Sequence, residues 1–366
     1  MCGIFGAVSS SHVHKNLIEG LSKLEYRGYD SAGLTLISKS NKIKRLRCTG
    51  KVVALKKLLA SNKLMGNCGI AHTRWATHGV PNLKNSHPHN YGGFSIVHNG
   101  IIENFEEIKI FLSKKSHKFS SDTDSEVIAH LLEYFSKKHY KLSDILLNTF
   151  KKLKGSFALG IIYEKEPDKI IVASNGSPLL IGMGKNANYI SSDINALISK
   201  TKKYISLEDN EFGIITKDTV ELFNVRGKRI KRPASVTKQN SNAISKNGYK
   251  HFMQKEIFEQ KDIITRVIKD KLGTSKILPN IFGPQSDSML KSIKHVHFVA
   301  CGTSYNASLV AKYWIEEVSD IMCTAEIASE YRYRTINVPK DTLFVAISQS
   351  GETADTIYSL KKAKQS

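Results

Sequence analysis

Apolar residues between Val13 and Leu24 recur every three to four positions, with Leu17, Ile18, Leu21 and Leu24 on one face, and this spacing predicts a helix. The same period predicts helices over Asn104–Lys114 and Ser143–Leu153, and another that opens at Ser121-Asp122-Thr123-Asp124-Ser125-Glu126 and carries Val127, Ile128, Leu131, Leu132 and Phe135. Short apolar runs at Leu34–Ile37, before His72 and at Phe94–Val97 read as strands. Beyond residue 153 the pattern changes to paired strands. Ser156–Tyr163 and Ile170–Ser174 flank a turn at Glu166-Pro167-Asp168; Leu179–Gly182 pairs with Tyr189–Ser192, and Phe212–Ile215 with Val220–Phe223. Antiparallel pairing mixed with amphipathic helices predicts layered sheets covered by helices over residues 2–225.

From Arg226 to Gly248 the periodicity is lost among Lys, Arg, Ser and Asn, which marks residues 226–285 as a linker and helical lead-in, with helical spacing resuming around His251–Lys271. A different rhythm follows over 286–366. Strand Ser292–Ala300 runs into Cys301-Gly302-Thr303-Ser304 and helix Tyr305–Val318; strand Thr342–Ile347 runs into Ser348-Gln349-Ser350-Gly351-Glu352-Thr353 and another helix. Strand, hydroxyl-rich loop, helix, repeated, is the parallel α/β arrangement. With so few strands and an open edge, this sheet is expected to be incomplete.

Composition adds limits. At 366 residues, 41% hydrophobic and 24% charged, the chain has room for two globular domains. No run approaches the ~18 apolar residues of a membrane span, and no basic region precedes the first apolar segment, so a cytoplasmic protein without membrane contact is expected. The net charge of +21 invites a nucleic-acid partner, but pairs such as Lys56-Lys57, Lys114-Lys115 and Lys137-Lys138 are scattered over solvated helix faces without interleaved aromatics, so none is expected. The five cysteines, Cys2, Cys48, Cys68, Cys301 and Cys323, are odd in number and lack metal-ligand spacing, which points to reduced thiols and no metal.

The candidate chemistry starts at Cys2. With Met1 removed, that residue would carry a thiol and a free α-amine of pKa roughly 8, a nucleophile with its own base; a lone Cys is also a common small buried hydrophobe. Gly3 and Gly6 allow close backbone approach, and Ile4 and Phe5 suit a buried strand. Glu25–Gly33 gathers three charges and three hydroxyls where a plain turn needs neither. In Ile70–Gly79, Arg74 offers a planar fork for a carboxylate and Trp75 a large movable wall; a structural ion pair and a core Trp remain the alternative. His87-Pro88-His89 has spacing that a metal could use but no carboxylate or Cys close by. Asn99-Gly100 at a strand end supplies two converging donors for an oxyanion, and is equally a common tight-turn pair. Thr123 and Glu126 make a capping box, which leaves Asp124 free to hold an ammonium group or to act as a further cap. The Cys301 and Ser348 loops place hydroxyls and N–H groups at helix N-termini, where a phosphate sits well, without a Walker or dinucleotide pattern.

Cys2-Gly3-Ile4, Arg27–Gly33, His72–Gly79, His98–Asn104, Ser121–Glu126, Cys301–Asn306 and Ser348–Thr356, in this order, resemble the glutamine–fructose-6-phosphate amidotransferases, or glucosamine-6-phosphate synthases, along the whole chain. The resemblance implies an α+β N-terminal-nucleophile domain, a four-layer αββα sandwich, followed by a flavodoxin-like α/β sugar-isomerase domain. It implies loss of Met1, attack of Cys2 on the glutamine carboxamide, and an oxyanion hole from Asn99 and Gly100. Arg74, Thr77, His78 and Asp124 would bind glutamine, and Trp75 would gate an ammonia channel. Cys301, Gly302, Thr303, Ser304, Ser348, Gln349, Ser350 and Thr353 would hold fructose 6-phosphate. No cofactor is implied; a homodimer is usual for the full-length family. The family carries two tandem sugar-isomerase domains, so the residues for isomerisation are expected beyond Ser366, and the chain alone is expected to support the glutaminase half-reaction. A stand-alone glutaminase and a non-catalytic sugar-phosphate sensor are the competing readings.

Overall fold

The computed structural model describes residues 2–75, 80–237, 248–269, 286–335, 337–349, 351 and 353–365. The chain opens with β1 (Gly3–Ser9), α1 (His14–Leu24), β2 (Ser31–Ile37), β3 (Ile43–Thr49), α2 (Val52–Asn62) and β4 (Cys68–Arg74). It continues through β5 (His89–Tyr91), β6 (Phe94–Ile102), α3 (Phe105–Ser113), α4 (Glu126–Ser136) and α5 (Leu142–Phe150). Strands β7 (Gly155–Tyr163), β8 (Glu166–Asn175), β9 (Leu180–Met183) and β10 (Ala187–Ser191) are followed by the single-turn α6 (Ile194–Leu197). Then come β11 (Lys203–Ser206), β12 (Glu211–Ile215), β13 (Val220–Asn224), β14 (Arg229–Ile230) and β15 (Ser235–Val236). After α7 (Phe252–Lys269) and α8 (Ser286–Lys291) lie β16 (His295–Ala300), α9 (Thr303–Val318), β17 (Met322–Ile327), α10 (Ala328–Tyr333), β18 (Thr342–Ile347) and α11 (Ala354–Ala363). Two compact units result, Met1–Ile244 and Ser245–Ser366.

In the first unit the described strands form two antiparallel sheets, ordered β15-β11-β9-β10-β1-β4-β2-β3 and β14-β13-β12-β8-β7-β6-β5. The period of two along β1 separates its faces: Ile4 and Val8 join the apolar layer between the sheets, while Phe5 and Ala7 pack under α1 and α2. On α1, the stripe Leu17, Ile18, Leu21 and Leu24 is buried as its spacing requires. On the far side, Ile96, Leu159, Ile161 and Ile171 of the second sheet pack with Ile108, Leu112, Val127, Leu131 and Leu146 of α3, α4 and α5. The architecture is therefore helix, sheet, sheet, helix, the four-layer αββα sandwich.

Two local features differ from the pattern-based reading. The β7–β8 turn falls at Glu164-Lys165, and Glu166-Pro167-Asp168 begins β8. Tyr163 pairs with Glu166 while Ile162 pairs with Ile170, so Pro167 sits in a bulge, where its missing N–H breaks no ladder bond. Within the segment read as a linker, Arg229–Ile230 pairs with β13 and Ser235–Val236 with β11, adding an edge strand to each sheet.

The second unit holds a parallel sheet ordered β17-β16-β18, among the described residues. Ala300 and Ile347 are register partners, so the loops after β16 and β18 leave the sheet side by side at the carboxyl ends of neighbouring strands. In an open α/β sheet that is where ligands bind.

Candidate active site

Cys2 immediately precedes β1, which lies between β10 and β4 in the interior of the first sheet. The strand's start is clipped on both sides. The Ile4 N–H donates to Ser192 Oγ at 3.0 Å, and the Ser192 N–H donates to the Ile4 carbonyl at 3.1 Å. Cys2 is half-buried. Its Sγ accepts the Trp75 N–H at 3.2 Å and lies 3.5 Å from the Trp75 carbonyl. Burial pushes the thiol pKa up, while the Trp75 N–H and the Arg74 guanidinium pull it down. At rest the sulfur is a protonated thiol held against a donor that favours the thiolate.

Asn99 comes from the second sheet. Val97 belongs to the layer between the sheets, and the period of two puts Asn99 on the same inward face. Its Nδ2 donates to the Cys2 carbonyl at 3.0 Å, and its Oδ1 lies 3.0 Å from His72 Nε2. Gly100 follows at φ +123°, and a Cβ there would stand 2.1 Å from the Ser156 carbonyl oxygen, so only glycine fits. Nucleophile and amide donor thus meet across the sandwich from elements nearly a hundred residues apart.

Arg74 ends β4 and is 4% exposed, so its cation is held by the fold rather than by water. Burial lowers its pKa, opposed by Cys2, Asp124 and Asp30 nearby, and it remains a cation. Trp75 is exposed and meets Tyr29 edge-on at 5.4 Å, so the core alternative for this Trp does not hold. Thr77 and His78 lie outside the described residues. The Glu25–Gly33 chemistry is used structurally: Arg27 Nη1 donates to Asp193 Oδ2 at 2.7 Å, Tyr26 donates to the same carboxylate, and the Asp30 N–H donates to the Arg74 carbonyl at 3.0 Å. Burial and that carboxylate push the Tyr26 hydroxyl up to about 12.

Asp124 is buried; its Oδ2 accepts the Ile102 N–H at 2.8 Å, and His98 Nδ1 lies 4.0 Å away. The capping box at Thr123 and Glu126 is not formed. Ser125 takes the N-cap position without a side-chain cap bond. Glu126 instead reaches back to accept the N–H groups of Ser120 and Ser121 at 2.8 and 2.7 Å and both their hydroxyls at 2.6 and 2.7 Å. Burial alone would raise this carboxyl; His130, Ser120 and Ser121 outweigh it and hold the pKa well below the carboxylate range.

In the second unit Cys301 and Gly302 link β16 to α9, with Gly302 at φ +59°, and Thr303 and Ser304 form the first turn of the helix. After β18, Ser348 Oγ accepts the Gly351 N–H at 3.0 Å and lies 3.3 Å from Thr353 Oγ1; Thr353 occupies the N-cap position of α11 without a side-chain cap bond. The hydroxyl of Thr356, in the first turn of α11, lies 4.0 Å from Cys301 Sγ, which ties the two loops together. Gly302, Thr303 and Gln349 are exposed, and Ser350 lies outside the described residues. Two adjacent helix N-termini lined with hydroxyls can take an anion such as a phosphate.

The sequence pattern assigns no role to His72, Ser192 or Ser125. Only His72 had a visible signal, a polar residue between Ile70 and Arg74 on the inward face of β4. Among the described residues no His, Cys, Asp and Glu cluster is arranged for a metal, and no helix is long and apolar enough to cross a membrane.

A glutamine amidotransferase domain model matches residues 73–199, and a SIS domain model matches residues 289–366. The glutamine–fructose-6-phosphate aminotransferase (isomerizing) of Francisella tularensis is 47% identical over 366 residues, and that of Haemophilus influenzae 43% over 365. Each alignment covers 100% of this chain, and the chain spans about 60% of the length of these relatives. Among solved structures, a glutamine phosphoribosylpyrophosphate amidotransferase from B. subtilis aligns over 95% of this chain and 69% of its own, with a TM-score of 0.56 at 22% identity, a likeness of fold.

Proposed function

We propose that this chain, a homologue along its whole length of the glutamine–fructose-6-phosphate aminotransferases, hydrolyses glutamine at Cys2, the half-reaction that frees ammonia for transfer to a sugar phosphate. The observation that carries the reading is the meeting of Cys2 with the Trp75 N–H, the Asn99 amide and the Arg74 guanidinium at one end of the sandwich. Removal of Met1 frees the Cys2 α-amine, which takes the thiol proton. The sulfur then adds to the glutamine carboxamide carbon, and the Asn99 amide with the Gly100 N–H holds the oxygen as it gains charge. Collapse breaks the C–N bond, the proton held on the amine goes to the leaving nitrogen, and a thioester remains for water to cleave to glutamate. Arg74 pairs with the α-carboxylate of glutamine and Asp124 with its ammonium, Thr77 and His78 complete that pocket, and Trp75 gates the passage of ammonia.

In the complete reaction that the relatives' name gives, the acceptor is fructose 6-phosphate, its phosphate held here by the Cys301–Ser304 and Ser348–Thr353 loops, and the product is glucosamine 6-phosphate; this chain by itself carries the glutaminase half. The substrates are those in the relatives' name, while a homodimer for the full-length family and a cytoplasmic location rest on the resemblance alone. The test is glutamate release from glutamine, followed beside amino-sugar formation. Cys2→Ala should abolish glutamate release, and mass spectrometry should find Met1 absent and Cys2 alkylated by a glutamine-like electrophile. Undiminished release by Cys2→Ala would overturn the reading.

A further inference from the structure

We propose that His72 is a positioning residue that holds the Asn99 carboxamide in the one orientation that aims its N–H at the reacting carbonyl. The inference rests on the glutaminase reading above. An asparagine amide has two nearly isosteric orientations, so an oxyanion donor built on it needs something to choose between them. On one side Nδ2 faces the Cys2 carbonyl, which can only accept. On the other side Oδ1 faces His72 Nε2, which also lies 3.0 Å from the His98 carbonyl. That carbonyl, an acceptor only, requires Nε2 to carry the ring proton, and a protonated Nε2 in turn requires oxygen rather than NH₂ on the Asn99 side. A flipped amide would lose both bonds and set oxygen against oxygen and N–H against N–H.

The ring is fixed by its surroundings. His72 faces inward opposite Ile4 of β1, is 1% exposed, and packs on the His87 ring at 4.3 Å with the planes tilted by 33°. Burial holds its pKa down to about 3, so at neutral pH it is an uncharged, single-proton donor. Its Nδ1 has no partner among the described residues and draws no proton away from Nε2. The bond also crosses the sandwich: His72 is on β4 beside the nucleophile's strand, and Asn99 is on β6 of the opposite sheet.

The test measures glutamate release by the full chain carrying His72→Phe, His72→Gln and His72→Asn. Phe keeps an aromatic ring without a donor, the Gln amide nitrogen reaches the position of Nε2, and the Asn nitrogen stops near that of Nδ1. His72→Phe should lower kcat about 10- to 100-fold, with KM for glutamine within about threefold of the starting protein. His72→Gln should recover to within about fivefold, and His72→Asn should resemble His72→Phe. Because the two side chains act as one unit, Asn99→Ala should lose about 100-fold or more, and adding His72→Phe should slow it less than about threefold further. The pH profile of His72→Phe should superimpose on that of the parent.

A kcat for His72→Phe within threefold of the parent, or losses that multiply in the double variant, would overturn the proposal. If His72→Phe fails to fold, the Gln and Asn pair decides: equal impairment of the two overturns it. Cys2→Ala separates the two levels. Glutamate release that survives Cys2→Ala sinks the glutaminase reading, whereas an inactive Cys2→Ala beside an unaffected His72→Phe sinks only this inference.

Discussion

In the first unit, Cys2, His72, Arg74, Asn99 and Asp124 come from two sheets and a helix entry, and bonds among these elements bridge 22 to 97 residues of sequence. In the second, Thr303, Ser304, Ser348 and Thr353 sit on two strand-to-helix junctions, and the bonds around Ser348 bridge five residues or fewer. The first site is assembled by tertiary packing, with His72, Arg74 and Asp124 all under 9% exposed; the second has Gly302, Thr303 and Gln349 in water. A reaction that builds charge on one oxygen gains from dipoles already held in place, since none need reorganise as the charge forms. An anion that arrives already charged gains from helix N-termini and hydroxyls reached from solvent. Substitutions in the first unit should therefore change stability and activity together, and those in the second should change binding alone.

The sharpest break of that contrast is Gly100→Ala. The added carbon would meet the Ser156 carbonyl carbon at 2.8 Å as well as its oxygen, on a backbone at φ +123° that L residues rarely adopt. Strain and overpacking together predict a loss of about 3 kcal/mol or more in stability. Any relief must move β6, and a displacement of about 1 Å in Asn99 is enough for roughly a 100-fold fall in glutamate release. Denaturant midpoints and glutaminase rates on the same sample check both. A Gly100→Ala protein of normal stability and rate would show that this end of the sandwich is not held rigidly.

How far each region could be read from the sequence follows the same division. The second unit was legible because its pattern is local: an apolar strand, a hydroxyl loop and a helix are contiguous, and Thr342–Ile347 appears with the bounds its apolar run dictates. In the first unit the period of 3.6 in α1 and the strand that delivers Asn99 were equally legible. Pairing was not. β1 lies against β10 and β4, with Phe5 opposite Ser191 and Ala71, and nothing near Phe5 in sequence names those partners. The same limit explains Glu126, whose capping-box spacing is a local signal overruled by hydrogen bonds to Ser120 and Ser121. It explains His72 too, since a histidine in a strand gives no sign of which oxygens face it. Arg229–Ile230 and Ser235–Val236 are too short to show any period, and their pairing comes from the sheet edges they meet.

Glu126 offers a smaller effect confined to the first unit. Its pKa is held below the ordinary carboxylate value near 4.3, so the unfolded chain takes up this proton more readily than the folded one. The stabilisation is complete above about pH 4.3 and is lost as pH falls through the folded value. His89, held at about 3 by burial, opposes folding earlier, as the unfolded chain binds its proton below about pH 6.5. Glu126→Gln sets an amide NH₂ among groups that donate and should lose about 1–3 kcal/mol at pH 7. The difference between variant and parent should then shrink from pH 5 to pH 3, read from urea midpoints. A gap that stays constant over that range would mean that the carboxylate is not what the cage of donors holds.

The smallest effect belongs to the second unit and tests the other half of the contrast. Thr303 is exposed and makes no side-chain cap, and Thr353 lies within 3.3 Å of Ser348 at the neighbouring helix start. On the proposed function each hydroxyl donates to the sugar phosphate, a bond to a charged group of about 1.5–3 kcal/mol. Thr303→Ala and Thr353→Ala should each weaken fructose 6-phosphate binding roughly 10-fold, by calorimetry on the full chain. Their unfolding midpoints should stay within about 0.5 kcal/mol of the parent, because Thr303 is exposed and Thr353 is only half-buried. Glutamate release without the sugar should be unchanged, since the proposed glutaminase chemistry uses neither residue. If either variant instead lost stability with its affinity intact, these hydroxyls would be ordinary helix-start residues, and the second unit's loops would have no claim to the phosphate.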